Sequence, residues 1–108
     1  MTEREDGFLH TVLKMAQALG WMAFHPRPAR TAHGWVTALS GDPGYVYVTL
    51  AKAGHPLILA ELKSAHGRVS PAQQAWLDVL RQADGHRVEL WTPAEWEYIE
   101  AVLRRHRR

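Results

Sequence analysis

The sequence contains no cysteine, and this absence excludes disulfide bonds and thiolate chemistry. No apolar run approaches the roughly 20 residues that a membrane-spanning helix requires. Residues 1–6 are too acidic for a signal peptide, because such a leader begins with a basic segment. We therefore expect a cytoplasmic protein that does not associate with a membrane.

Several catalytic signatures are also missing. The chain has no Gly-rich phosphate loop, no dinucleotide-binding fingerprint and no nucleophile triad. Its seven histidines show neither the i, i+4 helical spacing nor the clustered spacing of zinc ligands. These absences argue against kinases, dehydrogenases and zinc enzymes.

Charge of one sign is not in large excess. The 108 residues carry 13 Lys and Arg against 11 Asp and Glu, a formal net charge of +2. The cations are unevenly placed, with Arg27 and Arg30 in one segment and an arginine cluster over 104–108. A hydrophobic content of 46% and this length are typical of one globular domain spanning residues 1–108.

The hydrophobic pattern predicts the order α-β-β-β-α-β-α. Apolar residues recur at helical spacing from Phe8 to Leu19, with Thr2 as the expected N-cap and Gly20 at the end. Strands are predicted at 21–25, 45–51, 56–63 and 86–91, and further helices at 70–83 and from 92 onward. Residues 26–44 contain three Pro and three Gly and are predicted to form a long loop with a brief strand at 35–39.

Local signals set the topology. Ser70, Pro71 and Gln73 form a near-complete capping box with proline at the first helical position. The turn at 52–55 is so short that the strands on either side should pair antiparallel. A strand, helix and strand then follow, so we expect an α/β (α+β) fold with a mixed central sheet flanked by helices.

Glu61 and Lys63 are the first candidate catalytic pair. They end the apolar run that begins at Leu57, and on a strand their side chains emerge on the same face. A carboxylate can hold a divalent cation, and a lysine beside it can orient the attacking water or stabilise developing charge. The alternative is an ordinary surface ion pair, because Glu-x-Lys is common by chance.

Longer blocks around this pair carry a family resemblance. One runs from Ala60 to Leu77 and contains Glu-Leu-Lys-Ser and Gln-Gln-Ala-Trp, and another runs from Val88 to Trp96. Together they resemble the VRR-NUC family, small phage and bacterial members of the PD-(D/E)XK nuclease superfamily. Weaker matches at 19–21, 25–31 and 40–42 extend the resemblance over nearly the whole chain.

The resemblance implies a restriction-endonuclease-like fold and a metal-dependent DNA endonuclease that uses Mg²⁺ or Mn²⁺. By position, Glu61 would bind the metal, Lys63 would be the catalytic lysine and Gln73 would complete the site. Branched DNA is an expected substrate, since the family is often compared with Holliday-junction resolvases. Small nucleases that cut two strands commonly use two active sites, so a homodimer is expected by analogy. If the protein is phage-encoded, we expect it in the host cytoplasm.

The sequence departs from the family at the second metal ligand. Without gaps from Gly41, the family's Gly-Phe-Pro-Asp corresponds to residues 44–47, so Tyr47 stands where the metal-binding Asp is expected. A phenol is neutral at pH 7 and is a poor Mg²⁺ ligand. Glu5 and Asp42 are the candidates for a substitute carboxylate, although Asp42 before proline is also a frequent turn starter.

Four residues are candidates for DNA binding. His25, Arg27 and Arg30 precede or lie in the long loop, and Arg68 lies between the Glu61 strand and the next helix. Each is otherwise an ordinary solvated side chain, while Trp35 is the candidate for stacking on a base. Two hypotheses follow, namely a metal-dependent DNA endonuclease, or a weakened or inactive nuclease-fold protein that still binds DNA.

Overall fold

The computed structural model describes residues 3–26, 29–31, 34–36, 41–45 and 47–105. The first half contains α1 (Glu3–Ala18) and five strands, β1 (Met22–Phe24), β2 (Ala29–Thr31), β3 (Gly34–Val36), β4 (Val48–Ala51) and β5 (Leu57–Leu62). The second half contains α2 (Pro71–Gln82), β6 (His86–Trp91), a 3₁₀ turn (Pro93–Glu95) and α3 (Trp96–Leu103).

Four strands form the central sheet in the order β1-β4-β5-β6. β4 lies antiparallel to β5, as the short turn between them predicts, and it also lies antiparallel to β1. β6 lies parallel to β5, with α2 as the crossover that a parallel neighbour requires. The predicted mixed sheet with flanking helices is therefore confirmed, in one α+β domain.

Helices cover both faces of this sheet. On one face, Leu50, Ile58 and Leu62 belong to a core that includes Val12 of α1 and Ile99 of α3. On the other face, Tyr47 and Leu59 pack with Leu77 of α2. Because β5 side chains alternate between faces, Glu61 shares the α2 side with Leu59.

The predicted capping box at the start of α2 is present. Ser70 Oγ accepts a hydrogen bond from the Gln73 backbone N–H at 3.2 Å, and Gln73 Oε1 accepts one from the Ser70 backbone N–H at 2.9 Å. Near the start of the last helical segment, Glu95 Oε1 accepts a hydrogen bond from the Thr92 backbone N–H at 3.2 Å. There the chain first forms the 3₁₀ turn, and α3 begins only at Trp96.

The segment predicted to be a long loop contains more regular structure than expected. β2 and β3 pair antiparallel as a separate two-stranded sheet, with Arg30 opposite Trp35. The strand predicted at 35–39 is observed at Gly34–Val36, and residues 37–40 lie outside the described residues, as does the expected N-cap Thr2. None of the helices in the described ranges is long and apolar enough to span a membrane.

Candidate functional site

Glu61 is the one charged residue that is buried among those the structure describes. It lies near the end of β5 and is only 1% exposed. Lys63 follows β5, where its backbone N–H donates to Trp91 O at 3.0 Å. The Lys63 Nζ lies 3.4 Å from Glu61 Oε1, so the two side chains form the ion pair that strand alternation predicts.

Tyr47 lies just before β4, the strand that pairs with the Glu61 strand. Val48 pairs with Ala60 in the antiparallel β4–β5 ladder, so one further step in the same register places Tyr47 opposite Glu61. The Tyr47 side chain is fully buried, and its hydroxyl oxygen has no hydrogen-bond partner among the described residues. Tyr47, which the resemblance predicts to replace a metal-binding Asp, is therefore a neighbour of Glu61 in this register.

The environment keeps that phenol protonated. Burial, and then the nearby Glu61 carboxylate, raise the pKa of Tyr47 from 10.0 to about 12, although the positive charge of Arg81 acts in the opposite direction. Both leading causes disfavour a negatively charged phenolate, because burial removes its hydration and Glu61 repels it. At neutral pH, Tyr47 therefore offers a metal ion a neutral oxygen rather than an anionic one.

A row of aromatic rings leads from Tyr47 to the loop that carries Asp42. The ring centroids of Tyr47 and Tyr45 are 5.1 Å apart, and those of Tyr45 and Trp76 are 5.0 Å apart. Trp76 Nε1 then donates a hydrogen bond to Pro43 O at 3.0 Å. Asp42 itself is exposed and lines a cavity with residues of α2.

Gln73, the third predicted catalytic residue, has a structural task. Its Oε1 accepts the hydrogen bond from the Ser70 backbone that completes the α2 capping box. The amide oxygen is therefore already engaged at the helix start. Gln73 was therefore predicted twice, once as the capping residue of α2 and once as a catalytic residue.

The other predicted site residues fall in different parts of the chain. His25 follows β1 and is half-buried, and Arg68 is exposed in the connection between β5 and α2. Arg27 lies outside the described residues. Arg30 and Glu5 lie in β2 and α1, where the structure describes the backbone and not their side chains.

The described side chains around Glu61 do not by themselves fit a magnesium site. Within the described parts of the chain, no group of three His, Asp or Glu is placed to hold a metal ion. Glu61 already has the Lys63 ammonium beside it, and the nearby Tyr47 side chain is neutral. Mg²⁺ prefers an octahedral set of anionic and water oxygens, which this arrangement does not supply.

Sequence reasoning missed a second polar cluster on the opposite face of the sheet. Arg87 Nε donates to Glu89 Oε1 at 2.6 Å, and the Tyr98 hydroxyl of α3 donates to the same oxygen at 3.0 Å. Burial alone would lower the pKa of Arg87, but hydrogen bonds to Glu89 and Tyr98 outweigh it and raise the pKa. The cluster joins α3 to β6, and its only sequence signal is the i, i+2 spacing of Arg87 and Glu89.

Comparisons with family models, with curated proteins and with solved structures found no match to this chain. The VRR-NUC resemblance therefore remains a prediction from the residues quoted above.

Proposed function

We propose that this chain is a DNA-binding protein with the restriction-endonuclease-like fold of the VRR-NUC family, and that its own site cleaves DNA weakly or not at all. The sheet order supports the fold, since a helix, three antiparallel-connected strands, a crossover helix and a parallel strand follow one another. The Glu61–Lys63 pair at the end of the third of these strands supports the family. We place the protein in the cytoplasm.

One observation carries the loss of activity. Tyr47 directly precedes β4, and extending the β4–β5 register by one residue places it opposite Glu61, where a second carboxylate would complete a metal site. A buried phenol with a pKa of about 12 cannot replace a carboxylate as a ligand for Mg²⁺. With one acidic ligand instead of two, the site has too little negative charge to hold the cation that would polarise a phosphodiester.

The second candidate is an active Mg²⁺- or Mn²⁺-dependent endonuclease, and the Glu61–Lys63 geometry favours it. An ammonium 3.4 Å from a carboxylate at a strand end has the arrangement expected of a catalytic lysine beside a metal ligand. This candidate needs a further carboxylate, for which Asp42 and Glu5 remain the predicted sources. It also needs Gln73 to act in the site while it caps α2.

Cleavage assays separate the two candidates. Linear and four-way-branched DNA are incubated with Mg²⁺ or Mn²⁺ and with wild type, Tyr47→Asp, Glu61→Ala or the double variant. We expect wild type to be inert, Tyr47→Asp to cut, and the double variant to be inert again. Wild-type cleavage that Glu61→Ala abolishes would establish the second candidate, and cleavage that survives Glu61→Ala would show that the site is elsewhere.

DNA binding is tested separately, by fluorescence anisotropy at low salt. Arg68 is an exposed cation in the connection between β5, which carries Glu61, and the start of α2. We expect Arg68→Ala to weaken binding, because one lost phosphate contact lowers affinity and the salt slope. Lys14→Ala is the matched control, since Lys14 is an exposed cation on α1. A wild type that binds no DNA would contradict the proposal.

A further inference from the structure

The loop at 41–44 and the first turns of α2 form an open groove with a volume of about 420 Å³. This volume lies within the range of sites that bind small molecules. Two residues of the loop and four of the helix line it: Asp42, Pro43, Ala72, Ala75, Trp76 and Val79. We call it the Trp76 slot.

Close contacts hold the two walls of this slot together. Gly44 has a φ of +98°, and a Cβ on it would lie 2.6 Å from the backbone carbon of Ala72. The loop backbone therefore contacts the helix where no larger residue fits. Trp76 is held by its hydrogen bond to Pro43 O and by the edge contact with Tyr45. A site built in advance in this way loses little entropy when a ligand enters.

The chemistry of the lining selects the ligand. The walls are apolar and include one indole ring, so they favour a flat aromatic group that can stack. The Asp42 carboxylate accepts hydrogen bonds and carries negative charge, so it favours a ring edge with donors and repels phosphate. Guanine is the DNA base with two adjacent donors, N1–H and the N2 amino group, which match the two oxygens of a carboxylate.

We infer that the Trp76 slot binds an unpaired guanine base, with the Asp42 carboxylate on its N1–H and N2 edge and Trp76 as the stacking wall. The inference deepens the proposed function, because it names the DNA feature that the protein recognises. A base inside a duplex cannot reach such a slot, so the ligand is single-stranded, looped or branched DNA with an extruded base. The inference also assigns Asp42 a role in base recognition that does not involve a metal.

The direct test uses guanosine 5′-monophosphate, and it does not depend on DNA binding. The indole N–H signal of Trp76, identified in the ¹H–¹⁵N spectrum by its loss in Trp76→Phe, is followed during titration. We expect this signal to shift with guanosine monophosphate. We expect inosine monophosphate, which lacks the N2 amino group, to bind about tenfold more weakly, because one of the two paired hydrogen bonds is lost. No shift, or equal shifts with thymidine monophosphate, would overturn the inference.

Two variants test the assigned residues. Ala75 lines the slot and is exposed on α2, so Ala75→Leu should narrow the slot and weaken the shift without disturbing the core. Ala101→Leu, at an exposed position on α3, is its matched control. Asp42→Asn should remove the difference between guanosine and inosine monophosphate, whereas Asp84→Asn, at an exposed turn position, should preserve it. A difference that survives Asp42→Asn would overturn the assignment of Asp42.

A DNA experiment distinguishes failure of this inference from failure of the proposed function. Wild type is titrated with an oligothymidine 11-mer and with the same strand carrying one central dG. We expect the dG strand to bind about tenfold more tightly. Equal binding of both strands would overturn the slot and preserve the DNA-binding proposal. No binding of either strand would contradict the proposed function, and the nucleotide titration would still decide the slot.

Discussion

The two proposed functions differ in the role they give to Tyr47, which lies on the same buried face of the sheet as Glu61. The side chain is fully buried in a cluster with Leu59 of β5 and Leu77 of α2. A tyrosine fills this volume with apolar surface, whereas an aspartate there would place a second carboxylate beside Glu61. Like charges in one buried site repel unless a cation neutralises them. The tyrosine therefore suits a protein that folds without a metal.

Alkaline titration tests the environment of Tyr47. The folded-state pKa is about 12 against 10.0 for the free side chain, so above pH 10 the folded protein binds more protons than the unfolded one. Stability from this group is complete below pH 10 and falls as the pH rises toward 12. Between pH 8 and pH 11, wild type should lose about 1.4 kcal/mol more than Tyr47→Phe in urea unfolding. Equal losses would show that the phenol is not held neutral.

The Glu61–Lys63 ion pair makes a second prediction about single side chains. Because Glu61 is 1% exposed, Lys63→Met leaves a buried carboxylate without that cation. We expect a loss of about 3 kcal/mol in the free energy of unfolding, measured by urea denaturation. Adding Glu61→Gln removes the charge and should recover most of the loss. If Lys63→Met alone costs less than about 0.5 kcal/mol, the pair behaves as a surface ion pair.

Helix and strand identities were the most predictable part of the fold. Ser70 and Gln73 predict the start of α2 from the sequence, and both hydrogen bonds of their capping box are present. The ends of elements were less predictable, because they depend on tertiary contacts. The 3₁₀ turn at the start of α3 is such an end. The β2–β3 pair was also hard to predict, because strands of three residues are too short to show a hydrophobic periodicity.

Substitution of Gln73 separates capping from catalysis. Gln73→Ala removes the oxygen that accepts from the Ser70 N–H, so we expect a loss of about 1 kcal/mol in stability. Ser70→Ala removes the reciprocal bond and should cost a similar amount. Both are measured by thermal or urea unfolding. If Gln73 acts only as a cap, the two variants should also affect DNA binding equally, and a selective defect in Gln73→Ala would contradict this.

Gly44 fixes the loop against α2, and Gly41 provides its matched control. Both residues have a positive φ, +98° and +99°. An added Cβ meets the Ala72 backbone at Gly44 and nothing within 4 Å at Gly41. Gly41→Ala should therefore cost about 1 kcal/mol for the backbone conformation alone, and Gly44→Ala clearly more. Equal losses in unfolding experiments would show that the loop does not press on the helix.

The arrangement of the whole domain was predictable in its topology and not in its details. A short turn after β4 and a helix after β5 dictate one antiparallel and one parallel neighbour for β5. The Trp76 slot was not predictable, because it arises where residues more than thirty positions apart in the sequence meet. The near-complete burial of Glu61 was missed for the same reason. Periodicity places a side chain on a face and does not say how deeply neighbouring elements cover it.

Metal-dependent stability is the measurement that tests the role of Tyr47 most directly. Thermal unfolding is followed for wild type, Tyr47→Asp and Tyr47→Asp with Glu61→Gln, with and without 10 mM Mn²⁺ (about ten times an assumed Kd of about 1 mM). If Tyr47 blocks a metal site, Mn²⁺ should raise the unfolding temperature of Tyr47→Asp by about 5 °C and leave the other two unchanged. An equal rise in wild type, or no rise in Tyr47→Asp, would contradict the proposed loss of the metal site.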